Sequence, residues 1–171
     1  DADISYERAR DFVEGEKYEI EVPASVHIAS EMKIFDKMLP YIFHRRWVLL
    51  RAPANKTGFV TADHPACLLW SEPAMRNKNL PPGLGLKETK LVFPVSNELA
   101  LVGAFEGEDD EREASELEIA EINGVVMEHA ARWFYVRDAD FLYKIPPNLK
   151  INRGADLVAQ LGGVHTKPPR R

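Results

Sequence analysis

Apolar and polar positions alternate along this chain with two different periods. In "SVHIASEMKIFDKMLPYIF", Ile28, Met32, Phe35, Leu39 and Ile42 recur at steps of four and three. That spacing places them on one stripe of a helix. The stripe predicts a core-facing helix with Phe35 buried, so that Phe35→Ala would cost about 3–5 kcal/mol. Pro40 should kink or end the helix near its last turn. The basic triplet His44, Arg45 and Arg46 follows, placed to complement the helix C-terminus. Downstream, Ile119, Ile122, Val126, Ala130 and Trp133 form a second helical stripe. An acidic run from Glu106 to Glu116 precedes it and reads as a solvated first turn. Gly124 inside this helix marks close packing against another element.

Strand-like segments lie between and after the helices. Trp47 to Ala52 and Gly58 to Ala62 read as one hairpin around "APANKTG". Thr89 to Val95 and Leu99 to Phe105 read as a second, joined by Ser96, Asn97 and Glu98. Pro94 puts the end of its strand, or a sheet edge, at that position. "WFYV" adds a short strand. "ADFLYKI" reads as a brief helix stopped by Pro146 and Pro147, and a further short helix is expected around Asp156 to Leu161. The aperiodic stretch Ser71 to Glu88 is either a surface excursion or a functional lid. These segments predict an α+β fold: a mostly antiparallel sheet of two hairpins plus a further strand, packed by two long helices.

Composition narrows the function classes. The chain has 171 residues, 45% of them hydrophobic and 29% charged. That is the balance of one ordinary globular domain spanning residues 1–171, with 150–171 as a loosely ordered tail. The opening on Asp1 suggests a piece of a longer protein. A net charge of -5 argues against a general nucleic-acid binder. No apolar run is long enough to span a membrane. The single Cys67 excludes an internal disulfide and points to a cytoplasmic location. Oligomeric state and partners stay open.

One stretch carries candidate chemistry. "GFVTADHPACLLW", Gly58 to Trp70, interrupts two apolar runs with Thr61, Asp63, His64 and Pro65. Asp63 at a strand end is suited to capping a turn through backbone N–H groups, and Pro65 would hold His64 extended. The same position suits a scaffolded catalytic group, with Asp63 and His64 as acid–base candidates. The histidines have no metal-ligand spacing, and neither a metal nor a cofactor is expected. Cys67, within "ACLLW", reads as an inert buried thiol. Arg132 and Arg137 bracket "WFYV" and suit an anion, although a Glu128–Arg132 ion pair on the helix is the plainer use. Asn123 lies at the edge of the core stripe. A buried Asn needs partners from another element, so Asn123 is expected to hydrogen-bond the Thr61–Pro65 segment as a clasp.

The order of these pieces is familiar. "FVTADHP", "LVFPVSNELALV" and "EINGVVMEHAARWFYV" together resemble the domain-of-unknown-function family 4238, a group centred on bacteria. The resemblance runs from about Ile28 to Tyr143 and reads as the C-terminal part of the family, whose usual upstream histidine–tyrosine–x–proline segment is not in this sequence. It implies no known activity. Two functions therefore stand side by side. One is a non-catalytic sensing or interaction module with the 71–88 loop and the sheet face as contact surface. The other is a hydrolase-like enzyme, a phosphoesterase or nuclease, in which Asp63 acts with residues from upstream.

Overall fold

A computed structural model of the protein describes residues 5–15, 23–54, 57–72, 75, 80–145 and 150–160. The chain divides into two units, residues 1–39 and 40–171. The first holds α1 (Tyr6–Glu14), capped by Ser5, whose hydroxyl accepts the Arg8 N–H. It also holds most of α2 (Ala24–Phe43), which carries Pro40 within its last turn. The α2 stripe is not a core stripe. No residue of the helix is buried, and Ile28, Met32 and Phe35 are 60%, 59% and 54% exposed. The expected cost of Phe35→Ala falls with that burial.

The second unit is built on a five-stranded sheet in the order β3-β4-β5-β1-β6. Its strands are β1 (Arg46–Arg51), β3 (Cys67–Trp70), β4 (Thr89–Pro94), β5 (Leu99–Ala104) and β6 (Asp110–Glu113). The β4–β5 hairpin forms as its sequence requires. Ser96 Oγ accepts the N–H groups of Glu98 and Leu99 and closes the turn. Pro94 is the last residue of β4, so its missing donor falls where the ladder ends. The strand β1 lies antiparallel to β5, with Trp47 opposite Gly103, and parallel to β6. The α+β class therefore holds, and the sheet is mixed rather than mostly antiparallel.

Four expected features take other forms. The acidic run does not open a helix. Gly107, at φ +104, turns the chain, and 110–113 then extends along β1. An edge strand of Asp, Glu, Arg and Glu is a solvated rim that resists further pairing. The first hairpin does not form, because two asparagines occupy the backbone of the 58–60 segment. Asn97 O accepts the Phe59 N–H and Asn97 Nδ2 donates to Phe59 O, while Asn123 holds Gly58 and Val60. The strand β2 is only Thr61–Ala62 and pairs with β7 (Phe134–Tyr135) in a separate small sheet. "WFYV" accordingly lies outside the main sheet. "ADFLYKI" is not helical: Leu142–Tyr143 forms β8 against β9 (Asn152–Arg153). The short helix α4 (Gly154–Gln160) follows. Residues 161–171 of the expected tail, and parts of the 71–88 segment, lie outside the described residues.

The core joins the sheet to α3 (Glu116–His129). One face of the sheet gives Leu50, Cys67, Val92 and Ala100, and α3 gives Ile119, Ile122, Val125 and Val126. The helix starts at a capping box in which Ser115 Oγ accepts the Glu118 N–H and the Glu118 carboxylate accepts the Ser115 N–H. It packs on β8 so closely that Lys144 N–H donates to Ala120 O at 2.9 Å. A Cβ at Gly124 would run into the Lys144 carbonyl. That is the physical reason for a glycine within this helix.

Candidate functional site

The T-A-D-H-P turn is held at both ends. Upstream, Asn123 is completely buried on α3. Its Oδ1 accepts the Val60 N–H at 2.9 Å, and its Nδ2 donates to Gly58 O at 3.0 Å and Leu142 O at 2.8 Å. One side chain thus joins the helix to the strand entering the turn and to β8. The partners are Gly58 and Val60 rather than the Thr61–Pro65 segment. The reason is geometric: those residues precede β2 and have no ladder of their own to supply their hydrogen bonds. Thr61 is exposed and pairs through its backbone with Tyr135.

Downstream, both oxygens of the Asp63 carboxylate accept backbone N–H groups. Its Oδ1 accepts the Ala131 N–H at 2.9 Å, and its Oδ2 accepts the N–H groups of Arg132 at 2.9 Å and Trp133 at 3.4 Å. The Asp63 N–H donates to Trp133 O at 3.0 Å. Three successive amides converging on one carboxylate form an anion-holding nest. The arrangement also ends α3. Ala130 already has extended dihedrals, and the next three N–H groups face Asp63 instead of the helix carbonyls. Trp133 is therefore 60% exposed and does not complete the core stripe. Arg132 lies beyond the helix and makes no i,i+4 pair with Glu128. Partial desolvation opposes ionisation of Asp63. The three N–H donors, with the charge of neighbouring His64, nevertheless hold its carboxyl below the usual carboxylate range.

His64 adds no hydrogen bond to this set. Its side chain is 69% exposed, and Nδ1 is 3.8 Å from Asp63 Oδ1, beyond hydrogen-bond reach. Cys67 is buried, and burial pushes its thiol up to about 11. A protonated thiol beside the carbonyls of His64 and Pro65 is no nucleophile. Among the described residues no three His, Cys, Asp or Glu side chains converge in a way that would hold a metal ion. Nor is any described helix long and apolar enough to cross a membrane.

Two features escaped the sequence reading. Arg45 does not complement the α2 terminus. It is 2% exposed, and its guanidinium donates to the carbonyls of Leu84, Thr89 and Gly103 and to Thr89 Oγ1. It lies 4.4 Å from the centroid of Phe105. Burial lowers its pKa from the usual arginine value, and Nε has no hydrogen-bond partner among the described residues. Nothing in a basic triplet signals which member turns inward.

The second is a polar cleft of about 890 Å³. Its walls are the end of β1 and the chain beyond it (residues 51–54), the β4–β5 turn (97–99), Glu116 at the start of α3, the 137–140 turn, and Leu142 and Arg153 on the β8–β9 ribbon. Neither Asp63 nor His64 lines it. Arg51 Nε donates to Glu111 at 2.8 Å and Arg153 Nη1 donates to Asp140 at 3.0 Å. Among the described residues Arg137 makes no ion pair. Its residues come from five separate segments, and no single motif announces them.

No curated protein and no solved structure matches the chain. A family match covers residues 4–140, which is most of the chain and begins well upstream of Ile28. The chain belongs to the family described as protein of unknown function (DUF4238).

Proposed function

We propose that this domain is a non-catalytic binding module and that its T-A-D-H-P turn is a structural joint. One observation carries the reading: both oxygens of Asp63 are engaged by the backbone N–H groups of Ala131, Arg132 and Trp133. A carboxylate that ends a helix and pins a turn is a poor general base, because hydrogen bonds to its charged form lower its proton affinity. His64 supplies no partner at hydrogen-bond distance. The recognition surface is the polar cleft, which lies away from the turn and is of the size that small ligands occupy, about 300–1,000 Å³. The buried Cys67 thiol and the acidic net charge support a cytoplasmic setting without nucleic acid as partner.

The test is hydrolysis of bis(p-nitrophenyl) phosphate and p-nitrophenyl phosphate by the purified chain, with and without added magnesium or manganese. The expected result is no turnover above buffer for the chain or for Asp63→Asn. Turnover that disappears in Asp63→Asn, with the fold retained, would replace this reading by the hydrolase one.

A further inference from the structure

We infer that the polar cleft binds a short zwitterionic peptide, its carboxylate on Arg137 and its ammonium group against Glu98 and Asp138. This rests on the binding-module reading and names the ligand class. The cleft carries charges of both signs: Arg51, Arg137 and Arg153 on one count, Glu98, Glu116, Asp138 and Asp140 on the other. A simple anion entering it meets four carboxylates, and a simple cation meets three guanidinium groups. A ligand with both charges, one at each end, answers both sets.

The pairing within the cleft shows which groups are open. Arg51 is engaged by Glu111 and Arg153 by Asp140. Arg137 has no acidic partner among the described residues, and its planar fork matches a carboxylate through two parallel hydrogen bonds. The Glu98 carboxylate makes no ion pair among the described residues. Among the described residues Asp138 Oδ1 accepts the Asp140 N–H alone, at 3.0 Å, which leaves acceptor capacity for an ammonium group. Leu99 and Leu142 line the same cleft and give a side chain of the ligand apolar contact. At about 890 Å³ the space exceeds one amino acid and suits a peptide of a few residues.

The experiment is calorimetric titration of the full chain with trialanine at neutral pH and low salt. N-acetyl-trialanine, trialanine amide and inorganic phosphate serve as comparison ligands. We expect trialanine to bind more tightly than about 1 mM, the weak end for a specific site. Blocking either terminus should lose tenfold or more. Arg137→Gln should lose tenfold for trialanine and little for the amide. Glu98→Gln should do the converse, losing affinity for trialanine and little for the acetylated peptide. Both substitutions are at exposed positions, and circular dichroism checks that each variant folds. Amide shift changes at Leu99 and Leu142 place the ligand in this cleft. Absent trialanine binding, or phosphate or acetylated peptide binding as well as the free peptide, would overturn the ligand class. In that case the binding-module reading is still judged separately, by the phosphoester assay.

Discussion

The side-chain oxygen of Asn123 accepts the Val60 N–H at 2.9 Å, and its amide nitrogen reaches Gly58 O and Leu142 O from the same buried position. Three backbone groups from two separate segments are thereby satisfied by one helix residue. An unmet buried polar group costs about 1–3 kcal/mol. Asn123→Leu, alike in branching but bulkier and without hydrogen-bonding groups, should destabilise the protein by about 3 kcal/mol or more. Chemical denaturation measures it. Hydrogen exchange should show the lost protection concentrated at Val60.

Gly124 allows a different approach between the same elements. In an isolated helix Gly→Ala gains about 1 kcal/mol. Here the added Cβ would meet the Lys144 carbonyl, a backbone atom that cannot rotate away. Overpacking of this kind costs about 1–3 kcal/mol, so Gly124→Ala should be net destabilising. An unchanged or raised Tm would show that β8 can move off α3.

What the sequence disclosed about these elements follows from the range of the forces involved. The α3 stripe from Ile119 to Val126, the close packing at Gly124 and the β4–β5 hairpin rest on local period and turn chemistry, and each is present. The capping box at Ser115 and Glu118 is equally local, written as S-x-x-E within an acidic run. The α2 stripe has the right period, yet none of its residues is buried, because period states only which face is apolar and not what covers it. The 47–52 and 58–62 segments have strand composition. Their pairing was decided by Asn97 and Asn123, far apart in sequence and reaching the same backbone. The inward turn of Arg45 onto three carbonyls and the five-segment cleft are likewise products of the tertiary fold. The joint role of Asp63 was half legible: a turn cap was expected, but not one that reaches 68 residues along the chain to end a helix.

Glu118 sets an acid limit on the helix start. The Arg112 hydrogen bond is the largest influence on it. Desolvation opposes, while the backbone and hydroxyl of Ser115 and the charge of Arg112 assist, and together they hold its pKa down at about 2 against an ordinary value of 4.5. A carboxyl depressed on folding contributes stability that is full above pH 4.5 and is lost as pH falls toward 2. Glu118→Gln should therefore lower Tm at pH 7, and the difference from the parent should shrink between pH 4.5 and 2. Ser115→Ala removes the cap from the other side and should cost about 1 kcal/mol. Thermal melts from pH 2 to 7 check both, and a difference independent of pH would contradict the assignment.

Asp63 and His64 adjoin in sequence but should respond to substitution in opposite ways. His64 is exposed and has no hydrogen bond to Asp63, so His64→Ala should change stability by less than about 0.5 kcal/mol, as surface substitutions do. Asp63→Asn keeps the size of the side chain but replaces one acceptor oxygen with an NH₂ group. That group cannot accept the N–H donors of Ala131, Arg132 and Trp133 at both positions. Asp63→Asn should lower Tm, speed exchange of the Arg132 amide and loosen the end of α3. Because the folded-state pKa of Asp63 is depressed, its contribution is present at neutral pH and fades as pH falls through the acid range, so the Tm difference between parent and variant should narrow there. Equal effects of the two substitutions, or a Tm unchanged in Asp63→Asn, would mean that the carboxylate is not what joins the turn to the helix.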